Sequence, residues 1–318
     1  MMYLFLILGL VILVKGADYF VEGASKIATY LRIPPILIGL TIVAFGTSAP
    51  EAAVSISAAL KGSGSIALGN VVGSNIFNIT FILGLAAFIY PLKVERETIR
   101  KEIPFALLAS VLMIILINDI RLQGFSTNLI TRADGLVLLS FFMIFLYYIF
   151  EVARNSREKS MVEDIELDTK SLGKNILFTI GGLMAIIFGG DQVVRSSIKI
   201  AYSLGMSETL VGLTIVAVGT SLPELITSVT AAIKKKSEIA LGNVVGSNIF
   251  NVFFILGISA VITPLSVDSK MFVDALVMVL STVVVLVFSK THLKLSKLEG
   301  SLLAIAFIAY MIFIIIRN

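Results

Sequence analysis

The sequence predicts an all-α polytopic membrane protein: ten transmembrane helices arranged as two inverted five-helix repeats, with broken helices at the membrane midplane. Three observations lead there. The chain is too apolar for a soluble core, two thirteen-residue motifs of its first half recur almost letter for letter in its second, and each half sets a Pro-Glu pair deep inside an apolar segment.

Of 318 residues, 57% are hydrophobic and 14% charged, where a soluble domain carries about 25% charged residues. Mean hydropathy is +1.00. The apolar residues fall in blocks of about 18–25, the length that crosses a hydrocarbon core ~30 Å thick. Cysteine is absent, which excludes disulfides, thiol nucleophiles and cysteine metal sites. The single histidine, His292, sits among Lys290, Lys294 and Lys297, a solvated loop by composition, and cannot build a paired-histidine zinc site. The net charge of +4 is spread over loops, with no basic tract suited to nucleic acid. The first cation, Lys15, follows the first apolar run, so the N-terminal segment is expected to span the membrane rather than serve as a cleaved leader.

The repeat organises everything else. Ile66–Asn78 reads IALGNVVGSNIFN, and Ile239–Asn251 reads the same thirteen letters. GLTIVAFGTSAPE (Gly39–Glu51) matches GLTIVAVGTSLPE (Gly212–Glu224) with two differences. The offset of 173 residues also carries Gly16-Ala17-Asp18 onto Gly189-Gly190-Asp191 and Pro91-Leu92 onto Pro264-Leu265. A whole multi-helix unit has been duplicated. Apolar segments are expected at about 2–31, 35–60, 65–90, 101–118 and 132–152, then at about 174–203, 208–233, 238–263, 271–289 and 298–316. The chain therefore divides into a first repeat (1–152), a polar cytoplasmic linker (153–173) and a second repeat (174–318). The linker, rich in Arg157, Lys159, Glu163, Asp164, Glu166 and Asp168, reads as a solvated connector.

Five spans per half is odd, so the second half enters the membrane from the opposite side. Loop charges test this. With both termini outside, the inner loops hold Arg32, Lys93, Arg96, Arg100, Lys101, Arg154, Arg157, Lys159, Lys170, Lys174, Lys234, Lys235, Lys236, Lys290, Lys294 and Lys297, sixteen in all. The outer set is Lys61, Arg121, Arg132, Lys270 and Arg317, which is five. The asymmetry follows the positive-inside rule and favours a multi-pass protein of the cell membrane with outside termini.

Glu51 and Glu224 stand well inside their apolar segments, with no basic residue within a helical turn. An uncompensated carboxylate at that depth costs on the order of 3 kcal/mol, so it is kept for a partner, a cavity or an ion. Pro50 and Pro223 remove an amide donor and clash with the carbonyl four residues back, which should break each helix and free carbonyls near Ala44–Thr47. The next span offers Ser74 and Asn78 one turn apart on one face, with Asn70 a turn earlier. Carboxylates beside free carbonyls, hydroxyls and amides form an oxygen cage for hard cations. Charge alone does not choose among Ca²⁺, Mg²⁺ and Na⁺. A second set of charges, Lys15, Asp18, Glu22 and Lys26 with Asp191, Arg195 and Lys199, is spaced for mutual pairing along helices one and six, which could slide on this surface. No Ser/His, Cys/His or paired-aspartate arrangement supports an enzyme.

G-T-S-x-P-E followed by G-N-x-x-G-S-N-I-x-N, twice at repeat spacing, resembles the cation/calcium exchanger superfamily along essentially the whole chain, and most of all its prokaryotic sodium/calcium exchangers. The resemblance implies Ca²⁺ binding by Glu51 and Glu224 with the carbonyls of Thr47 and Thr220. It implies Na⁺ sites using Ala44, Thr47, Ser48, Ser74, Asn78, Ala217, Thr220, Ser221 and Ser247. Some relatives carry aspartate where this chain has Asn251, and in potassium-dependent exchangers that aspartate is tied to K⁺. Amides at both Asn78 and Asn251 put K⁺ co-transport in doubt. The implied activity is antiport of Na⁺ against Ca²⁺ by alternating access, electrogenic and independent of K⁺, with no cofactor. The neighbouring alternative is a proton/calcium antiporter on the same fold.

Overall fold

The computed structural model describes residues 2–160, 172–204, 217–268 and 270–317. Its main helices are α1 (Met2–Leu31), α2 (Pro35–Thr47), α3 (Ala49–Leu60), α4 (Gly64–Ile89), α5 (Glu102–Leu116), α6 (Arg132–Ser160), α7 (Leu172–Ser203), α8 (Ala217–Thr220), α9 (Leu222–Ile233), α10 (Ser237–Ile262), α11 (Met271–His292) and α12 (Lys297–Arg317). Four two-residue strands, β1 (Leu92–Lys93), β2 (Leu129–Ile130), β3 (Leu265–Ser266) and β4 (Lys294–Leu295), sit in the connections.

Among the described residues, seven helices are long and apolar enough to cross a bilayer, or eight if α2 and α3, bent by 49°, count as one. Ten were expected. Two segments account for the difference. The fourth helix, α5, has 15 residues, about 22 Å of rise, which falls short of the hydrocarbon core. The expected span at 208–233 is described from Ala217 onward, and its earlier part lies outside the described residues. Helical structure also enters both ends of the expected linker. The helix predicted to end near 152 runs to Ser160, because Glu151–Lys159 is rich in good helix formers, and α7 already begins at Leu172. The stretch between them, 161–171, lies outside the described residues.

Burial places each helix. In α4 and α10, 72% and 78% of the apolar window is buried, against 17% in α12. The duplicated GNVVGSNIFN helices are thus the core, and the others wrap them. On the wrapping helices the outward face is apolar, as Leu4, Ile7 and Val11 on α1 and Ile305, Ile308 and Ile312 on α12 illustrate. That is the inverse of a soluble surface, and it suits lipid.

Helices α1 and α7 pack against each other along much of their length. Gly9 meets Gly189 and Val193, Gly16 meets Gly182 and Ala185, and Gly23 meets Asn175 and Thr179. One series rises as the other falls, so the helices run antiparallel. A seven-residue glycine spacing sets one bare face on each helix, and small residues let backbones approach closely where no hydrophobic effect drives association. A Cβ on Gly182 would stand 2.6 Å from the Phe20 nitrogen and 2.7 Å from the Gly16 carbonyl oxygen.

The fifth helix of each half packs on the third helix of the other. Gly135 of α6 lies against Gly257 of α10, and Gly300 of α12 against Gly84 of α4. The strands pair the same way, β1 with β4 and β2 with β3, both antiparallel. A capping box opens each of these helices. The Thr131 hydroxyl donates to Asp134 Oδ2 at 2.7 Å, and the Ser296 hydroxyl to Glu299 Oε2 at 2.7 Å. Each residue's own N–H, on Thr131 and on Ser296, donates to the same carboxylate oxygen, which satisfies donors that a helix start leaves open.

The charged stripe pairs largely as its spacing predicts. Lys26 bonds Glu22 at 2.6 Å and Arg195 bonds Asp191 at 2.7 Å, each within one helix. Asp18 departs from this pattern and pairs with Lys234 just beyond α9.

Candidate cation site between the two halves

The paired breaks create the site. Ser48 (φ −80°, ψ 7°) and Ser221 (φ −92°, ψ 9°) leave the helical basin, and a new helix begins immediately after each. Pro50 and Pro223 fall in the first turn of these helices, where a missing N–H costs nothing. Glu51 and Glu224 occupy the same first turns, where the positive end of the helix dipole favours a carboxylate. One expectation is corrected here. The Ala44 carbonyl is not freed, because it accepts the Ser48 N–H at 3.0 Å. The chain breaks at Ser48, two residues before the proline, so the helix before the break keeps this closing hydrogen bond.

Both carboxylates are fully buried, and among the described residues neither has a Lys or Arg partner. Each is held instead by the other half. The Ser221 hydroxyl donates to Glu51 Oε1 at 2.7 Å, and the Ser48 hydroxyl donates to Glu224 Oε1 at 2.8 Å. Ser221 also shares a hydrogen bond with the Ser74 hydroxyl at 3.1 Å, and Ser48 one with Ser247 at 3.0 Å. Thr47 donates to Asn243 Oδ1 at 3.0 Å. The break segment of each half is therefore threaded into the core helix and carboxylate of its counterpart.

Asn78 and Asn251 lie fully buried at the start of π-helical turns, Phe77–Ile82 and Asn251–Leu256. Such wide turns often mark functional positions because they re-aim side chains. The two asparagines differ. Asn251 Nδ2 donates to Asn75 Oδ1 at 2.9 Å, whereas Asn78 has neither its Oδ1 nor its Nδ2 partnered. Ala217 and Thr220 bound α8, and Ala44 is buried in α2.

Sequence reasoning placed Asn70 on the candidate face but missed Asn75, Asn243 and Asn248, which brace the site with it. Asn70 Nδ2 donates to the Glu51 carbonyl at 3.3 Å and to Ser55 Oγ at 2.9 Å, and Asn243 repeats both bonds with Glu224 and Ser228 at 3.3 and 2.8 Å. Asn75 Nδ2 donates to the Asn248 carbonyl and Asn248 Nδ2 to the Asn75 carbonyl, both at 3.2 Å. Identity of the two thirteen-residue segments was the available signal, since equal residues at a pseudo-twofold contact can bond reciprocally.

The donor set suits a hard cation. Glu51 Oε2, Glu224 Oε2, Asn78 Oδ1 and Asn251 Oδ1 are buried oxygens without partners, and buried polar atoms are ordinarily satisfied. Among the described residues no three acidic, histidine or cysteine side chains cluster, so a cation held here would need its other ligands from hydroxyls, amides and backbone. Ca²⁺ accepts such all-oxygen shells.

Two buried carboxylates beside unpartnered amide oxygens inside a multi-pass helical bundle suit a membrane transporter of cations. The model of the sodium/calcium exchanger protein family matches residues 1–151 and 174–316, and the chain belongs to that family. It is similar to the putative antiporter CaxA of Alkalimonas amylolytica, 36% identical over 315 residues covering 96% of each chain. It is also similar to the sodium/calcium exchanger MaX1 of Methanosarcina acetivorans, 35% identical over 340 residues covering 98% of this chain and 97% of that one. A solved structure of the sodium–calcium exchanger NCX_Mj superposes with a TM-score of 0.83 at 31% identity, covering 97% of this chain and 99% of that one. Family and fold together support exchange of Ca²⁺ and other cations across a membrane.

Proposed function

We propose that this chain is a secondary active antiporter that exchanges Na⁺ for Ca²⁺ by alternating access, electrogenically and without K⁺. The observation that carries the reading is the reciprocal crossing of Ser48 onto Glu224 and Ser221 onto Glu51. A cation bound there touches both halves, so sliding of α1 and α7, one helix from each half, against the rest changes which side it can leave from. The antiparallel α1–α7 pair supports two inverted five-helix repeats joined by a short linker, ten spans in all, with the site at mid-depth. Loop charges support a cell-membrane protein with both termini outside.

Glu51 and Glu224 supply two negative charges, with Thr47 and Thr220 giving backbone oxygens to Ca²⁺. Ala44, Ala217, Ser48, Ser221, Ser74, Ser247, Asn78 and Asn251 complete the Na⁺ sites. Ca²⁺ neutralises the pair, whereas three Na⁺ exceed it by one, so each cycle moves net charge. The empty pair resists crossing a low-dielectric barrier, which ties outward movement of one ion to inward movement of the other. Asn251, an amide, leaves the site without the third carboxylate associated with K⁺.

The decisive measurement is radiolabelled Ca²⁺ uptake into proteoliposomes loaded with Na⁺ and diluted into Na⁺-free buffer, with and without K⁺. Uptake is expected to require the Na⁺ gradient, ignore K⁺ and be accelerated by a valinomycin-free charge shunt. Uptake that follows a proton gradient instead would move the chain to the proton-coupled branch, with the same two glutamates as carriers.

The serine bridges carry a smaller prediction. Ser48→Ala and Ser221→Ala each remove a hydroxyl that orients a carboxylate, and hydrogen bonds to charged groups contribute about 1.5–3 kcal/mol. Each variant is expected to raise the half-saturating Na⁺ concentration about tenfold, by similar amounts. An unchanged Na⁺ dependence in both would remove the serines from the site.

A further inference from the structure

The 173-residue offset relates Asp18 to Asp191 and Lys61 to Lys234. The two equivalent acid–base pairs stand in opposite states. Lys234 Nζ lies 2.7 Å from Asp18 Oδ1 and donates to the Asp18 carbonyl at 2.9 Å, joining α1 of the first half to the end of α9 in the second. Asp191 is instead turned along its own helix to Arg195 at 2.7 Å, and Lys61, just past α3, has no side-chain partner among the described residues. Packing is unequal in the same sense: α1 lies along α9, while the equivalent α7–α3 interface is nearly absent among the described residues. The difference is built into the sequence as well, because Arg195 stands where the first half has Glu22. Asp18 therefore has no cation four residues on and is free to reach across, whereas Asp191 has one that holds it back.

We propose that Asp18–Lys234 and Asp191–Lys61 are alternating ionic latches: one ties the α1–α7 arm to the core on one face of the membrane, and the other closes only when the first opens. The inference rests on the alternating-access reading above. On the loop-charge topology Lys234 is inside and Lys61 outside, so the closed Asp18–Lys234 latch seals the inner face and the open pair leaves the outer face accessible. Arg195 competes with Lys61 for Asp191 and makes the outer latch the weaker one, so the resting population is biased toward outward access.

The chain has no cysteine, so the test is clean. The Asp18→Cys/Lys234→Cys and Lys61→Cys/Asp191→Cys pairs are each bridged with a bifunctional thiosulfonate about as long as a lysine side chain. ⁴⁵Ca²⁺ binding is then read on right-side-out and inside-out vesicles, after exchange by the unsubstituted protein has been measured. Bridging either pair is expected to stop exchange, reversibly with reductant. The 18–234 bridge should leave Ca²⁺ binding at least tenfold stronger from outside, and the 61–191 bridge at least tenfold stronger from inside. Binding from the same face in both, or both bridges forming in one molecule of the quadruple variant, overturns the latches while leaving exchange by the unsubstituted protein as separate support for the antiporter. Should a double variant fail to fold, Asp18→Asn and Asp191→Asn replace it. The first should shift binding toward the inner face and the second toward the outer, and shifts in one direction overturn the proposal.

Discussion

Replacing either buried glutamate, Glu51→Gln or Glu224→Gln, is expected to lower Na⁺-dependent Ca²⁺ uptake at least a hundredfold while the protein still elutes as a folded, monodisperse species. The carboxamide keeps the size of the side chain and can still accept from Ser221 or Ser48. What it lacks is the charge. At an effective dielectric of about 20, a unit charge pair at 4 Å contributes about 4 kcal/mol, and a divalent ion loses more than that when one of two carboxylates is neutralised. Folding should not suffer, because removing an unpaired buried charge relieves a desolvation cost rather than breaking an ion pair. The two variants should fail alike, since each carboxylate is held by the opposite half in the same way. Uptake at the unsubstituted rate in either one would mean that its carboxylate is not a ligand.

The second large effect is steric. Gly182→Val is expected to cut exchange more than tenfold, whereas Gly181→Val, one residue earlier, should leave it within twofold. A Cβ at Gly182 would sit 2.6 Å from the Phe20 nitrogen, a backbone atom that cannot swing away, while a Cβ at Gly181 meets nothing within 4 Å. Helices α1 and α7 must then separate, and the arm they form no longer moves as one body against the core. Uptake rates of the two variants at matched protein density make the comparison, and equal losses would show that the glycine face has no part in transport.

The sequence made some of this legible and hid the rest for definite reasons. Glu51 and Glu224 were readable because a buried carboxylate beside a proline is a local anomaly, visible without knowing what lies across from it, whereas Ser48 and Ser221 entered only through the family resemblance. The crossing of Ser48 to Glu224 was not readable, because equal motifs in each half give no sign of whether they bond within a half or between halves. Asn75 and Asn248 went unread for the same reason. The break was expected at the proline, yet Ser48 forms it, because the first turn of a helix tolerates proline and the carbonyl of Ala44 keeps its donor. The helix through Ser160 was lost to a polar composition that matches a loop but also suits a helix leaving the membrane. The equivalence of the fifth helices was hidden because their repeat register is 165 residues rather than 173, as the matching caps at Thr131 and Ser296 show, and nothing in either helix alone says that it packs on the opposite half.

That exchange of fifth helices has a consequence for biogenesis. Gly84 is inserted early, but the Gly300 backbone that packs on it leaves the ribosome more than two hundred residues later. Likewise β1 waits for β4. The first half therefore enters the bilayer with an open flank, its small-residue groove facing lipid until translation is almost finished. A chain truncated before α12 would leave that groove uncovered on the half that was already complete, so quality control in the membrane can judge the beginning of this protein only after reading its end.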